Sequence, residues 1–542
     1  MSSVLTADLS DAGVYRVFIN GAWRPSSSQK SIPIQNPAEL AECYRVAACT
    51  KDEVDAAFAA AKRAQKKWCR TPLHLRATFL HHAARLLREN AATIAACLTN
   101  EVAKGRKDSV KEVMRSADLV DYCAEEGLRI LNQGQMFAPD SFPGENRNKV
   151  CLSSRVPLGV VLAIPPFNYP VNLCVSKVAP ALIAGNAVVI KPPTQGAVSV
   201  LHMMQCFSLA AKATGLQLDI DAGCAAAPAP ESGDSGVTAP FGAPTGIGGL
   251  INVVTGRGGE IGDYMVEHPS VNCISFTGGD TGLAIAKRAP MVPLQMELGG
   301  KDACVVCADA DLDAAASAII KGGFSYSGQR CTAIKIVLPV DSVYDALLAK
   351  VHDKVKKLKV GKPEDDADIV PLVSSSSADF VQGLVQDAVA QGAKLHGGEG
   401  YVSEDGTLGG WKRVGNLVYP LIVDGVTESM KLYHEEPFGP VVPFVRGIAT
   451  PEEAIAIANR SKYGLQGCLF TQNVDDAMRL SDMFETGTVQ VNGPPARGPD
   501  HFPFQGVRDS GIGSQGITNS IHMMIKTKTT VLNLKAPSYS VA

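Results

Sequence analysis

"GVVLAIPPFNYPVNLCVSKVAPALIAGNAVVI" (159–190) begins with a short apolar run, continues through a longer helix-like stretch and ends with a second apolar run. Short apolar runs bounded by Gly and Pro are typical of buried strands. Two more such runs follow, "INVVTG" (251–256) and "CISFTG" (273–278), each with a helix-like stretch after it. Strands that alternate with helices predict a parallel sheet that is covered on both faces.

The same alternation starts again at "DACVVCADADLDAAASAII" (302–320) and continues to about residue 490, which predicts a second α/β unit. Helix patterns dominate before residue 130, at 50–68 with a capping box formed by Thr50 and Glu53, and at about 73–128. The tail "KTKTTVLNLK" predicts a strand whose edge needs a partner. The Ala-, Pro-, Gly- and Ser-rich segment 221–249 predicts a partly disordered surface insertion that the fold tolerates passively.

The composition disfavours several classes of protein. A chain of 542 residues needs two or three domains, and a net charge of −3 without a basic block does not suit nucleic acid or a membrane surface. No uninterrupted apolar stretch reaches the roughly 18 residues of a membrane span, and the N-terminus lacks a secretory pattern. The 14 irregularly spaced cysteines predict reduced thiols in the cytoplasm rather than disulfides or a zinc site.

Three turns that follow predicted strands carry residues suited to phosphate. "KPPTQ" places Lys191 at the C-terminal end of a strand, in a turn that two prolines stiffen. "TGRGGEIG", with Gly256, and "FTGGDTG", with Gly278 and Gly279, are Gly-rich strand-to-helix turns, although the first misses GxGxxG by one residue. Backbone N–H groups at helix N-termini bind anions, so the three turns together suit a pyrophosphate.

One cysteine differs from the others in its neighbours. In "FSYSGQRCTAIK" (324–335), Cys331 directly follows Arg330, whereas most of the other cysteines lie among apolar residues. A thiol beside a cation and free backbone N–H groups is shifted toward the nucleophilic thiolate. The plain alternative is an ordinary half-buried loop cysteine.

Three more strings accompany the cysteine. "MELGGKD" contains Glu297, "PPFNYP" contains Asn168, and "EEPFGPV" contains Glu436 and Phe438. Each alone has a structural explanation, as a surface carboxylate, a turn former or a core ring. In this order and spacing, from about residue 15 to 535 apart from the insertion, the strings resemble the aldehyde dehydrogenase superfamily.

The resemblance implies an α/β fold with a Rossmann-like cofactor domain, a second α/β catalytic domain and a small β oligomerisation arm. It also implies a homotetramer, built as a pair of dimers in which the tail strand pairs with a neighbour's sheet. The expected division of the chain is the cofactor domain at 1–143 and 162–297, the arm at 144–161, the catalytic domain at 298–500, and a return segment with the last arm strand at 501–542.

The residue types suit the oxidation of an aldehyde. An aldehyde becomes tetrahedral before it gives up hydride, and the Cys331 thiolate would add to it as the nucleophile. The Asn168 amide and the Cys331 backbone N–H would stabilise the oxyanion. A nicotinamide nucleotide would accept the hydride, held at its ribose by Glu436 and packed by Phe438. Glu297 is the expected base for the water that hydrolyses the thioester, and no metal ligand set is expected.

Arginines direct the expectation for the substrate. Arg497, in "GPPARGPDHFPF", lies where the superfamily lines its substrate funnel, and with Arg330 it suits a two-point clamp on an anion. The resemblance places Arg115 and Tyr169 at the same funnel. Ion pairs on the surface or between domains are the alternative use of these arginines. Together the strings resemble the non-phosphorylating, NADP-dependent glyceraldehyde-3-phosphate dehydrogenase branch, which implies irreversible oxidation of D-glyceraldehyde 3-phosphate to 3-phosphoglycerate without inorganic phosphate.

Thr194 directs the expectation for the cofactor. Relatives that prefer NAD commonly carry a glutamate at this point, and a carboxylate would repel a 2′-phosphate, whereas a threonine leaves room for it. With the positive charge of Lys191 nearby, the sequence predicts NADP. Gly279 stands where many relatives carry serine, so a phosphate contact through that hydroxyl is absent.

Other functions stay open at this level. A coenzyme-A-acylating semialdehyde dehydrogenase would not need Glu297 as a deacylating base. A cysteine hydrolase would need a histidine base and no dinucleotide site. A non-catalytic structural relative would have no reason to keep Cys331, Glu297 and Asn168.

Overall fold

The computed structural model describes residues 9–138, 143, 148–214, 248–397 and 411–535. Its strands are β1 (Ser10–Asp11), β2 (Val14–Tyr15), β3 (Val17–Ile19), β4 (Ala22–Arg24), β5 (Ser31–Asn36), β6 (Ala41–Ala47), β7 (Gln135–Phe137), β8 (Lys149–Pro157), β9 (Val160–Ile164), β10 (Ala187–Ile190), β11 (Ile251–Val253), β12 (Cys273–Thr277), β13 (Leu294–Glu297), β14 (Asp302–Val306), β15 (Ile334–Pro339), β16 (Lys394–His396), β17 (Arg413–Val414), β18 (Leu417–Val418), β19 (Leu421–Asp424), β20 (Val441–Phe444), β21 (Gln466–Phe470), β22 (Thr488–Val491), β23 (Gly511–Ile512) and β24 (Ile525–Asn533). Its α-helices are α1 (Lys51–Trp68), α2 (Leu73–Glu89), α3 (Ala91–Val102), α4 (Arg106–Leu131), α5 (Pro170–Ile183), α6 (Ala197–Ala213), α7 (Asp263–Val266), α8 (Thr281–Arg288), α9 (Leu312–Phe324), α10 (Asp341–Val355), α11 (Ser375–Ala390), α12 (Lys431–His434), α13 (Pro451–Asn459), α14 (Val474–Met483) and α15 (Ile517–Met523).

The stretch 159–190 forms β9, α5 and β10, as predicted, at the centre of the first large sheet. Eight strands lie there in the order β23-β13-β12-β9-β10-β11-β3-β4, and the five from β13 to β11 are parallel. Helices α1 and α5 pack against β9 and β10, and α2, α4 and α6 form a further layer. Because β9 and β10 are almost wholly buried, their apolar residues do not alternate with polar ones.

The second large sheet has seven strands in the order β16-β19-β20-β15-β14-β21-β22. Its six strands from β19 to β22 run parallel, and β16 pairs antiparallel at one edge. Two separate apolar cores lie on this unit, one built around Leu338 and Val423 and the other around Val337 and Phe444. The predicted second α/β unit is therefore confirmed.

The predicted tail strand is β24, which pairs antiparallel with β8 from Ile525 opposite Pro157 to Asn533 opposite Lys149. With β7 it makes a three-stranded sheet in which β24 is an edge. After β22 the chain returns to the first sheet, where β23 pairs antiparallel with β13 before the chain reaches β24. The residue-level domain boundaries stay predictions.

Two smaller expectations concern the helices and the insertion. The capping box of Thr50 and Glu53 is present at α1, and the run at about 73–128 divides into α2, α3 and α4. Nearly all of the predicted insertion at 221–249 lies outside the described residues.

The α/β fold class is confirmed. Within the ranges that the structure describes, no helix has the length and apolarity to cross a membrane.

Candidate active site

Three predicted residues stand where secondary-structure elements converge on one cavity. Glu297 ends β13, Asn168 lies just before α5, and Cys331 lies in the loop before β15. The cavity has a volume of about 310 Å³. Its lining includes six residues that the sequence analysis selected: Arg115, Tyr169, Glu297, Arg330, Cys331 and Arg497.

The Cys331 thiol donates a hydrogen bond to Glu297 Oε1 across 3.3 Å. Burial first, and the neighbouring Glu297 carboxylate second, raise the pKa of this thiol well above its usual value, and Lys335 partly offsets them. The expected thiolate is therefore not the favoured form in this geometry. The Arg330 guanidinium bonds to backbone carbonyls rather than to sulfur, so the thiol proton has the Glu297 carboxylate as its acceptor.

The Glu297 carboxylate is only 2% exposed and is held from its second oxygen. Arg497 forms an ion pair with Oε2 and also donates to Gln515. Thr277 Oγ1 lies 3.5 Å from the same carboxylate oxygen and accepts from Lys177 Nζ at 2.6 Å. Burial lowers the pKa of Lys177 to about 7, and the attraction of Glu297 works against that shift. Arg497 therefore holds Oε2 of Glu297, and Oε1 faces the Cys331 thiol.

Asn168 is buried against the loop that precedes the cysteine. Its side-chain Nδ2 donates to the Gln329 carbonyl at 2.9 Å, and its own carbonyl accepts from Lys104 Nζ at 2.6 Å. The Lys104 ammonium also pairs with Glu112 and lies 3.6 Å from the centre of the Tyr169 ring. A buried cation that is bonded on three sides holds its partners in one arrangement. Asn168, whose side-chain amide is expected to stabilise an oxyanion, is therefore held both at its backbone carbonyl and at its side-chain nitrogen.

The arginines of the cavity have different partners. Arg115 Nε and Nη2 bond to the two carboxylate oxygens of Asp500 at 2.6 and 2.8 Å, and Nη2 also donates to the Arg497 carbonyl. Arg330 Nη2 makes three long bonds of 3.2–3.4 Å to backbone carbonyls. Its Nε is buried without a hydrogen-bond partner among the described residues. Ion pairing therefore accounts for Arg115 and Arg497 in part, whereas Arg330 keeps an unused donor.

The candidate cofactor residues follow parallel strands at one edge of the first sheet. Lys191 directly follows β10, Gly256 follows β11, and Gly278 and Gly279 follow β12. Lys191 is 8% exposed, and the described chain gives its ammonium one long hydrogen bond, to the Pro192 carbonyl at 3.5 Å. Burial lowers its pKa to about 8. A buried ammonium with so weak a partner suits a phosphate or hydroxyl ligand.

The glycines of these turns differ in the space around them. A Cβ at Gly256 would collide with the Ile261 side chain, and one at Gly278 would meet the Phe276 ring. Gly279 has no heavy atom within 4 Å of an added Cβ, so an open surface borders the turn there. The turn after Gly256 continues as a short π-helix at 258–262, so the predicted helix begins in an irregular form. Half-buried Thr194 lies in the loop between Lys191 and α6.

Glu436 and Phe438 lie on the loop between α12 and β20. Glu436 Oε1 accepts from Lys335 Nζ at 2.8 Å and from the Gly300 N–H at 3.2 Å. Phe438 has a φ of +47°, and its ring meets the ring of Phe167 edge-on at 5.8 Å. A non-glycine residue in the left-handed region is held there by its surroundings, which is frequent at ligand sites.

Sequence reasoning missed four buried charged residues of this site: Lys104, Glu112, Lys177 and Lys335. Their types are usual on exposed helices and strands, so no local pattern distinguishes them from surface charges.

Cys304 and Cys307 have a two-residue spacing, yet no cluster of three or more metal-ligating side chains occurs within the described residues.

Comparisons with known proteins agree with this geometry. The family model described as "Aldehyde dehydrogenase family" matches residues 23–220 and 239–530. The chain is 56% identical over 534 residues to an NADP-dependent glyceraldehyde-3-phosphate dehydrogenase of Pisum sativum, with 98% of each chain covered. It is 43% identical to the protein of that name from Streptococcus equinus, covering 96% of this chain and 99% of the relative.

Solved structures give the same result. The NADP complex of NADP-dependent glyceraldehyde-3-phosphate dehydrogenase from Bacillus halodurans superimposes with a TM-score of 0.85 at 44% identity, covering 96% of this chain and 99% of that one. A glyceraldehyde-3-phosphate dehydrogenase from Methanocaldococcus jannaschii, also complexed with NADP, superimposes with a TM-score of 0.79 at 29% identity, covering 93% and 99%. The chain belongs to the aldehyde dehydrogenase family.

Proposed function

We propose that the chain catalyses the irreversible, NADP-dependent oxidation of D-glyceraldehyde 3-phosphate to 3-phosphoglycerate, without inorganic phosphate. The observation that carries the proposal is the single cavity in which a thiol paired to a carboxylate lies beside three arginines. The names of near full-length relatives support the same substrate and cofactor.

The first chemical step begins with a proton transfer inside the cavity. Cys331 Sγ gives its proton to Glu297 Oε1 and forms a carbon–sulfur bond to the aldehyde carbon, which becomes a thiohemiacetal. The negative oxygen needs donors that are already in place, and the Asn168 amide with the Cys331 N–H supplies them. Since Lys104 holds the Asn168 carbonyl, the amide needs little reorganisation at this step.

The residues at the sheet edge fit NADP. Lys191 offers a poorly satisfied ammonium, Thr194 leaves the adenosine ribose without a facing carboxylate, and the open turn at Gly279 leaves room for a pyrophosphate. Glu436 and Phe438 would hold the nicotinamide end. When bound, NADP supplies the acceptor for the hydride that leaves the thiohemiacetal.

The thioester that remains on Cys331 must be hydrolysed to release the acid. Glu297 first loses the thiol proton to solvent and then takes a proton from water, and the hydroxide adds to the thioester carbon. The carbon–sulfur bond then breaks to release 3-phosphoglycerate, and Glu297 returns a proton to the Cys331 sulfur. The same carboxylate that accepted the thiol proton thus serves a second time. Its ion pair with Arg497 holds the carboxylate in place for this role.

Arg330, Arg115, Arg497 and Tyr169 are proposed to bind the substrate phosphate. Arg330 provides the strongest reason, because its buried Nε has no protein partner among the described residues. A guanidinium that faces a cavity and lacks a carboxylate partner suits a phosphate dianion.

A homotetramer in the cytoplasm is also proposed. Among the described residues, β24 is an edge of the three-stranded arm, and this supports assembly because an unpaired strand edge favours pairing with another chain. Sedimentation at micromolar concentration should give about four times the monomer mass, and a monomer would contradict the assembly.

The direct test is the formation of NADPH from glyceraldehyde 3-phosphate and NADP, with neither inorganic phosphate nor coenzyme A added. The wild-type chain should turn over. Cys331→Ser should bind NADP normally and form no NADPH, because the nucleophile is lost while the cofactor turns are untouched. Turnover that requires coenzyme A, or turnover that survives Cys331→Ser, would refute the proposal.

A further inference from the structure

Lys335 is a buried cation to which the proposed reaction gives no role. It lies on β15, four residues after Cys331, with 1% of its surface exposed. Its ammonium donates to the backbone carbonyl of Cys331 and forms an ion pair of 2.8 Å with Glu436 Oε1. One side chain therefore joins the peptide of the candidate nucleophile to the carboxylate that is proposed to hold the nicotinamide ribose.

We propose that Lys335 is a positioning residue that couples the seating of the cofactor at Glu436 to the geometry and reactivity of Cys331. This inference rests on the proposed function, which assigns the nucleophile to Cys331 and the ribose contact to Glu436. Lys335 touches neither substrate nor cofactor, and it acts through these two residues.

Close packing of three loops supports the coupling. Glu436 Oε1 also accepts from the Gly300 N–H at 3.2 Å, and Gly300 lies three residues after Glu297. A Cβ at Gly299 would collide with the Glu436 carboxylate, and one at Gly300 would lie 3.2 Å from the Cys331 carbonyl oxygen. The loops that carry Glu297, Cys331 and Glu436 therefore meet around one ammonium, with no room for independent movement.

The charges around Lys335 show why its loss should be felt at the sulfur. Glu436 faces it directly, and the buried Lys301 and Asp302 lie close enough for its charge to influence both. At Cys331, Lys335 opposes the burial and the Glu297 charge that hold the thiol in its protonated form. A cation in a water-poor site acts strongly on such a neighbour. Its removal takes away the cation that offsets the carboxylates at this thiol.

The test uses thiol alkylation and NADP binding, neither of which needs turnover of the aldehyde. Lys335→Met removes the charge and keeps the length of the side chain. The rate of Cys331 alkylation by iodoacetamide at neutral pH should fall roughly 10-fold. The midpoint of the pH dependence of this rate should rise by about one pH unit. The Kd for NADP, measured by fluorescence quenching, should rise by about 10-fold as Glu436 loses its orienting partner.

Lys301→Met is the matched control. Lys301 is also buried, and it donates to the carbonyl of Leu432 in α12 and to that of Glu435 beside Glu436, but within the described chain no hydrogen bond joins it to Cys331. Its loss should weaken NADP binding and leave the alkylation midpoint unchanged. Should Lys335→Met not fold, as judged by its circular dichroism and Tm, the neutral Lys335→Gln carries the same test.

A double variant separates coupling from two independent effects. In the double variant, which carries Lys335→Met and Glu436→Gln, the fold-change in alkylation rate should be smaller than the product of the fold-changes in the two single variants. Both substitutions break the same link, so their effects overlap. A folded Lys335 variant with the wild-type alkylation profile overturns the proposal, and so does strict multiplicativity in the double variant. A wild-type chain that fails to bind NADP, or whose Cys331 is not alkylated at any pH, would instead overturn the proposed function itself.

Discussion

Arg330 offers the sharpest test of phosphate recognition, because its side chain has the weakest ties to the protein. Arg330→Gln removes the guanidinium from the cavity. In the structure this group makes only three long bonds to carbonyls, at 3.2–3.4 Å, and its Nε has no partner among the described residues. A charge-assisted bond to phosphate contributes about 1.5–3 kcal/mol, so kcat/KM for glyceraldehyde 3-phosphate should fall by roughly 10- to 150-fold.

The assay compares glyceraldehyde 3-phosphate with unphosphorylated glyceraldehyde, as initial rates of NADPH formation below saturation. Glyceraldehyde makes no phosphate contact, so its kcat/KM should change by less than about 3-fold in Arg330→Gln. Arg63→Gln, on an exposed face of α1, is the matched control for the loss of a charge and should leave both substrates unaffected.

Arg497→Gln provides the contrast. Because Arg497 also pairs with Glu297, its loss should lower kcat/KM for both aldehydes, with the larger loss for the phosphorylated one. If Arg330→Gln lowers both substrates equally, Arg330 braces the loop and does not bind phosphate. The reasoning would also fail if glyceraldehyde 3-phosphate were unaffected in a folded variant.

Three further predictions concern the base and the cofactor. Glu297→Ala should form about one equivalent of NADPH, more slowly than the wild type because the thiol loses its proton acceptor, and should then stall at the thioester, whereas sustained turnover would remove Glu297 from the hydrolysis. Thr194→Glu should weaken NADP relative to NAD by roughly 5- to 150-fold, or ~1–3 kcal/mol, and an unchanged Kd for NADP would remove Thr194 from the adenosine ribose. The pKa of the Lys191 ammonium is lowered to about 8, so this group loses its charge as the pH rises. NADP binding, measured by fluorescence quenching, should therefore weaken above that pH and stay constant below it. A Kd for NADP that is unchanged up to about pH 9.5 would exclude a contact between Lys191 and phosphate.

The fold could be predicted from the sequence because its signals are local. The apolar runs at 160–164 and 187–190 are buried on both faces of a parallel sheet, so they contain no polar residue that would blur the pattern. The Gly-rich turns and the cysteine loop directly follow or precede such strands. The position of the Gly-rich turns at the carboxyl edge of the first sheet therefore follows from the parallel topology alone, whereas the cysteine loop precedes β15 of the second sheet.

The family strings also predicted which side chains meet. Glu297 and Cys331 do line one cavity, and Asn168 bonds to the loop that precedes Cys331, although nothing in their local sequence measures the distance between them. The cysteine's expected ionisation was wrong for this geometry. The neighbour of Cys331 in sequence, Arg330, turns to backbone carbonyls, while its neighbour in space, Glu297, accepts the thiol proton.

Only the tertiary structure decided which charges are buried and with what they pair. Arg497 meets Glu297 across 200 residues of chain, and Lys104 meets the Asn168 carbonyl across 64. Lysines and arginines are common on surfaces, and their side chains are long enough to reach either water or a buried partner. The choice depends on whether folding brings a carboxylate or carbonyl within reach, since an unpaired buried charge costs several kcal/mol and a well-placed partner offsets much of that cost. That condition is a property of the packed chain, and no window of sequence contains it.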